Sequence, residues 1–542
     1  MLSLICILFL TSNEALSALA PGHGNASANT NATESHESKH SHGHGEPKDL
    51  EVTLGLFQLL MYCCPRMEDD QDELLIDGNV DRLCVRPSEA SGPPRKGDLI
   101  FDARFESGNL GRVEYVSDYE YDLFIRSDTC NPKHRVWFYF SVSNVLKGQR
   151  VVFNVTNSSK TKSLYPSGMA PVVCSRKRSK WYRIPRRHVL QRPSSIHDSK
   201  YVLSFAFAFD DEDDIFYFAY SYPYTYSQLQ KYLGSLVDRN FPYFKRDLLT
   251  TSVQQRRIDC LTIADPLPKV ASDPRDVVFI TARVHPGETA SSFVCEGLIS
   301  FLVGDTSAAF ELRKQCIFKV IPMLNPDGVF LGNYRCSLMG FDLNRHWHSP
   351  SVWAHPSIYA VKELLLQCDR HNTQKIRFFV DIHAHTAQLN SFLYGNLPSK
   401  QTASKDSSEL VLPTMLHRLS NDFSLGQTQF NADPAKAGTG RRAMAECLPN
   451  GCLCYTLEVS VYGYEDSSQK ITIIPYTEAL YLKLGENLGR ALNICLKTNS
   501  AQAAKRIVTP LRVKSKMVSP SQSDSSSVTS RPSTSSTISD TK

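Results

Sequence analysis

The sequence predicts an α/β domain with a mainly parallel mixed sheet flanked by helices, preceded by an antiparallel β-sandwich domain. Three observations predict it. Across residues 97–226, short runs of β-branched and aromatic residues follow one another without helical spacers. After residue 226, apolar strand-like runs alternate with amphipathic helical stretches. The chain has 542 residues, 42% of them hydrophobic, which is more than one core ordinarily organises.

Residues 1–96 read as a largely disordered segment with a signal-like start. An apolar run at 2–10 is followed by the small-residue pattern Ala18-Leu19-Ala20, but no Lys or Arg precedes it. The run is too short to span a membrane, so no transmembrane anchor is expected. Asn25 and Asn31 open glycosylation sequons, as do Asn154 and Asn157 further on. Residues 21 to about 50, with His36, His40, His42 and His44, are polar and expected to be solvated.

Within 97–226, Val136-Trp137-Phe138-Tyr139-Phe140 and Val151-Val152-Phe153-Asn154-Val155 are dense in strand formers. Residues 201–209 alternate, with Phe205, Phe207 and Phe209 on one face. These short strands suggest a sandwich. The acidic run 210–214 reads as a solvated turn. A connecting helix is expected over 226–239. Strands follow at 277–280, 317–324, 378–382 and 454–459, and helices at 291–302, 359–368 and 477–496. These elements define the α/β domain, residues 227–500. Residues 501–542 are basic, then Ser/Thr-rich, and are expected to form a disordered tail.

The net charge of +5 is small and dispersed, which gives no case for nucleic acid. The 15 cysteines follow no framework spacing and read as free thiols in a reducing compartment. That points to the cytoplasm. Secretion is the alternative that the signal-like start would require.

Four stretches carry chemistry. His285-Pro286-Gly287-Glu288 follows a strand. Pro286 favours an extended His285, Gly287 permits a sharp turn, and Glu288 starts a helix. Two ligand-type side chains can thus converge over a strand end. Asp381-Ile382-His383-Ala384-His385 ends an apolar strand, and period-two alternation puts both histidines on one side. Either could complete a His/Glu/His zinc site with an open fourth position. Glu458 is one carboxylate in an apolar strand, which is costly unless it is paired or functional. It would serve as a proton acceptor beside a metal, or as half of a buried salt bridge. Arg335, Asn344 and Arg345 lie within eleven residues of one another, and guanidinium forks suit carboxylates. Surface arginines are the other reading of that stretch.

Taken in order, RVHPGET at 283–289, GNYRCSLMGFDLNRHW at 332–347, DIHAH at 381–385 and YTLEVS at 455–460 resemble the metallocarboxypeptidase (funnelin) family. Within it the chain is most similar to the cytosolic carboxypeptidase branch, the tubulin deglutamylases, over roughly residues 97–500. The resemblance implies a zinc carboxypeptidase domain after the β-sandwich, with one zinc ion (Zn2+) per chain held by His285, Glu288 and His383. It makes Glu458 the catalytic glutamate and Arg335 the residue that stabilises the oxyanion. Asn344 and Arg345 would hold the substrate's terminal carboxylate, and Asp342 would orient His285. The implied substrates are polyglutamylated tubulin and other glutamate-ended proteins. The protein is then expected to be a monomer in the cytoplasm, associated with the cytoskeleton, the centriole or the base of the cilium.

A pocket for a glutamate side chain needs a basic partner. Lys436, Arg441 and Arg442 lie in a Gly-rich segment ahead of Glu458, and Arg441 or Lys436 is expected to line that pocket. Two other functions fit parts of the pattern. One is a zinc deacylase of small N-acyl amino acids. The other is a non-catalytic binder of acidic tails, which the complete set of residues argues against.

Overall fold

A computed structural model describes residues 78–194, 201–266, 275–370, 375–397, 408–448, 451–466 and 472–497. The signal-like start, Asn25, Asn31, the histidine-rich stretch and the expected tail from 501 lie outside the described residues.

The first domain is two sheets packed face to face. One has six strands in the order Leu83–Cys84, Ile100–Asp102, Tyr139–Ser143, Phe216–Ala219, Val172–Ser175 and Trp181–Arg183. All its pairings are antiparallel. Its first strand pairs ahead of residue 97, so the sheet begins before the expected domain start. The other sheet orders Arg112–Ser117, Glu120–Phe124, Arg150–Val155, Tyr201–Ala208 and Val189–Pro193. In it Glu120–Phe124 runs parallel to Arg150–Val155. The chain lays Tyr139–Ser143 into the opposite sheet between these two strands, and that crossover makes a parallel pairing reachable.

The sandwich core is aromatic because alternate strand positions face inward. Phe153 meets Phe218 edge-on at 5.3 Å between ring centroids, and Phe140 stacks on Phe218 at 5.5 Å. Such pairs add about 0.5–1.5 kcal/mol beyond area burial. The two internal sequons are engaged by the same fold. Asn154 is buried, and its amide donates to Glu120 and Asp122 at 2.8 Å. The Asn157 amide donates to the Ile125 carbonyl, also at 2.8 Å. Asn154 is thus enclosed by the fold, whereas Asn157 is half-buried and hydrogen-bonded.

The second domain holds an eight-stranded mixed sheet. Its strands are β1 (Phe244–Thr251), β2 (Arg257–Ile263), β3 (Asp276–Ala282), β4 (Cys316–Ile321), β5 (Ile376–His385), β6 (Ser391–Asn396), β7 (Gln429–Asn431) and β8 (Leu453–Ser460). Their spatial order is β1-β2-β4-β3-β5-β8-β6-β7. The central run β4-β3-β5-β8 is parallel, as is β6-β7. Helix α1 (Tyr226–Asp238) connects the domains, and Thr225 caps it by accepting the Gln228 N–H. The others are α2 (Thr289–Val303), α3 (Ser307–Gln315), α4 (Pro326–Phe330), α5 (Pro356–Arg370), α6 (Val411–Leu419), α7 (Gly440–Cys447) and α8 (Glu478–Lys497). Helix α2 is apolar almost all round because it is buried between the sheet and α8. Among the described residues no single helix is long and apolar enough to cross a membrane. Every described cysteine is a free thiol.

The carboxyl ends of β3, β5 and β8 meet at one edge of the sheet. Ala282 pairs with Ile382, and His383 lies in register with Glu458. In a parallel sheet this edge is where ligand sites form. The β-sandwich packs against α4 and the residue that follows it. The Ser107 N–H and hydroxyl donate to Phe330 and Val329, at 2.8 and 2.7 Å, and Arg126 donates to the Leu331 carbonyl at 2.9 Å.

Candidate metal centre and active site

The turn after β3 brings the first two side chains together. Arg283 has φ +57, uncommon for a residue with a Cβ. Its buried guanidinium donates to the Pro286 carbonyl and to Ser292, both at 2.8 Å. These bonds hold the 283–288 turn in shape. Gly287 donates to the Tyr334 carbonyl at 2.7 Å, and a Cβ there would sit 2.5 Å from the Tyr334 ring. No larger residue fits between the two loops.

His285, Glu288 and His383 are buried, and their ligand atoms lie within 4.8 Å of one another. Each imidazole turns Nδ1 toward Glu288, at 2.7 Å for His285 and 3.0 Å for His383. Each turns Nε2 toward a second carboxylate, Asp342 at 3.0 Å and Asp381 at 2.7 Å. A carboxylate behind each ring fixes the tautomer that leaves Nδ1 free for a metal. Burial opposes charge on Glu288, yet the two imidazoles hold its carboxyl well below the usual range. Burial likewise opposes charge on His383, but Asp381 and Glu288 carry its pKa well above the usual value. The cluster is built to hold positive charge, and two nitrogens with one carboxylate are a zinc-type donor set.

His385 does not join the cluster. Its Nε2 donates to the Asn390 carbonyl at 3.2 Å and its ring packs on Phe392. Of the two histidines left open by alternation, the structure brings only His383 to Glu288. The sequence reading gave Asp381 no part. The alternation that put His383 and His385 on one face also applies to Asp381, and that signal could have found it.

Asp342 ties the site together. One oxygen meets His285, and the other accepts Nε and Nη2 of Arg335 at 2.8 and 2.7 Å. Burial opposes its charge, but the hydrogen bond to His285 and the nearby arginines hold it well below the usual range. Asn344 is buried, with its amide nitrogen 3.2 Å from His383 Nε2 and its oxygen accepting the Gly440 N–H at 2.9 Å. Arg345 is one-third exposed and donates to the Asn344 carbonyl at 2.8 Å.

Glu458 faces this group from the neighbouring strand. Among the described residues no hydrogen bond or ion pair engages its carboxylate. Burial, with Glu288 and Asp381 nearby, pushes its pKa up to about 7 against the opposing pull of the two imidazoles.

The three basic residues ahead of Glu458, of which Arg441 and Lys436 are the pocket candidates, differ in their surroundings. Lys436 is exposed at the end of a short 3-10 helix. Arg442 is half-buried and faces Glu446 at 3.9 Å. Arg441 is buried, and among the described residues its guanidinium meets only neutral oxygens, those of Gly395, Asn396 and Asn431. Burial lowers its pKa to about 10. Its segment lies against the arginine loop: a Cβ on Gly438 would sit 2.3 Å from the Arg345 carbonyl oxygen.

Comparison with known proteins agrees with this geometry. Residues 230–464 match the family described as Zinc carboxypeptidase, and residues 101–221 match the Cytosolic carboxypeptidase N-terminal domain. The chain is 51% identical to Cytosolic carboxypeptidase 6 of Mus musculus, over 83% of this chain and 82% of that one. It is 53% identical to Cytosolic carboxypeptidase 6 of Caenorhabditis elegans, over 74% of this chain and 87% of that one. A metallo-carboxypeptidase structure from Burkholderia cenocepacia superposes with TM-score 0.61 at 23% identity. It covers 73% of this chain and 98% of that one, and shows the shared fold. The protein is thus a zinc-dependent peptide hydrolase. The chain belongs to the cytosolic carboxypeptidase family.

Proposed function

We propose that this zinc carboxypeptidase removes C-terminal glutamates, from polyglutamate chains on tubulin and from other acidic protein tails, in the cytoplasm and at the cytoskeleton. The observation that carries the glutamate preference is Arg441. Among the described residues no carboxylate partners this buried guanidinium, and such a group is expensive. A glutamate side chain entering the pocket would supply that partner. The choice of tubulin rests on the resemblance of the four motifs.

In this reading His285, Glu288 and His383 hold the zinc. Bound there, the ion would supply Lewis acidity, polarising the scissile carbonyl and lowering the pKa of a water so that it can lose a proton near neutral pH. Asn344 and Arg345 bind the substrate's terminal carboxylate, so only a chain end fits. Glu458 takes a proton from the attacking water as its oxygen bonds to the carbonyl carbon. It then passes that proton to the amine as the carbon–nitrogen bond breaks. Arg335, held by Asp342, donates to the oxygen that becomes negative, and one such donor is worth about 3–4 kcal/mol.

Arg441→Gln is expected to reduce kcat/KM for a glutamate-ended peptide by roughly 10²-fold, about 2.7 kcal/mol, with zinc content unchanged. A peptide ending in an uncharged residue should lose far less. Normal glutamate release after changing Lys436, Arg441 and Arg442 together would refute the assignment. Asp381→Asn should weaken zinc binding by about 10–100-fold, measured by competition with a chelator. Zinc-saturated Asp381→Asn protein should keep most of its kcat.

A further inference from the structure

We propose that Asp128, a residue of the β-sandwich, is a positioning residue for the reaction: it holds the loop that presents Arg335. This rests on the role given to Arg335 above. Asp128 is 3% exposed. One of its carboxylate oxygens accepts the backbone N–H of Tyr334 at 2.6 Å. The other accepts those of Arg335 and Cys336, both at 2.7 Å. Three consecutive amides thus converge on one ionisable side chain from the other domain. Bonds of this kind to a carboxylate are short and strong.

Asp128 is itself fixed. Its N–H donates to the His134 carbonyl at 2.9 Å, and its own carbonyl accepts from Asn131 at 3.1 Å. Its neighbours grip the same loop. The Thr129 N–H donates to the Asn333 side-chain oxygen at 3.1 Å, and the Asn333 amide donates to the Thr129 hydroxyl at 2.7 Å. The Asn131 amide donates to the Gly340 carbonyl at 3.0 Å. One continuous path of contacts runs from the Asp128 carboxylate through the 334–336 backbone to the Arg335 guanidinium. From there it passes to Asp342 and His285. A shift of about 1 Å in such a group is enough to cost roughly 10²-fold in rate. The β-sandwich is therefore a working part of the active site as well as a flanking domain.

The test is a double-mutant cycle on the full chain, with kcat, KM, zinc content and melting temperature measured for each protein. Asp128→Asn places a side-chain amide against a backbone amide, donor against donor. It is expected to lower kcat about 10–100-fold with KM for a glutamate-ended peptide little changed. In an Arg335→Ala background the same change should lower kcat less than threefold. Equal losses in both backgrounds would overturn the proposal and leave the reading of Arg335 standing. Unchanged kcat in Asp128→Asn would do the same. An Arg335→Ala protein with normal kcat would remove both. Should Asp128→Asn fail to fold, Thr129→Val removes only hydroxyl contacts to the same loop. It is expected to lower kcat a few-fold in the native background and not at all beside Arg335→Ala. Equal losses there would again overturn the proposal.

Discussion

Glu458→Gln is expected to lower kcat by about 10²–10⁴-fold while the protein keeps its zinc, its fold and its affinity for substrate. Glutamine matches glutamate in shape and still accepts a hydrogen bond, so the change removes proton transfer and little else. The structure supports so large an effect for two reasons. Glu458 lies in register with His383 on adjacent parallel strands, so its carboxylate faces the metal cluster. It is also not committed elsewhere, because no hydrogen bond or ion pair holds it among the described residues. Burial raises its pKa to about 7, suited to taking and returning a proton at neutral pH. A bound dication would lower that value. The check is release of glutamate from a polyglutamate peptide, with metal content measured on the same samples. Equal activity of the two proteins would sink the proposed mechanism. Faster turnover of a small N-acyl amino acid than of the peptide would instead favour a deacylase.

Much of the fold was legible because its strands are written in local pattern. The runs at 277–280, 378–382 and 454–459 became β3, β5 and β8, each a residue or more longer at its ends. Long-range pairing was not legible. The parallel partnership of Glu120–Phe124 with Arg150–Val155 depends on a crossover between sheets, which no local period records. The site divides the same way. His285 and Glu288 stand three residues apart on one turn, so their meeting is visible in sequence. Asp128 and Arg335 are 207 residues apart, and a carboxylate bonded to backbone amides leaves no side-chain partner to suggest it. Arg441 and Lys436 look alike as candidates in sequence, and only the structure shows that one is buried and the other exposed.

Removing the metal should abolish glutamate release and lower the melting temperature together, and adding zinc back should restore both. His285, Glu288 and His383 come from the turn after β3 and from β5, so a shared ion links two separate segments. A ligand that binds only the folded state stabilises it by about 4 kcal/mol at a thousandfold excess over its Kd. Protons compete for the same atoms. The contacts from each imidazole Nδ1 to Glu288, at 2.7 and 3.0 Å, are ones that a proton on the ring can occupy. Against the opposing effect of burial, Asp381 and Glu288 favour the protonated form of His383. Zinc must displace such protons, so its affinity should weaken as pH falls, beginning above the ordinary imidazole range because His383 holds its proton to higher pH. His383→Ala removes one ligand and is expected to leave no measurable activity and little bound zinc. Its melting temperature should respond far less to a chelator than that of the native protein. A His383→Ala protein that kept its zinc and its activity would show that the ion is held elsewhere.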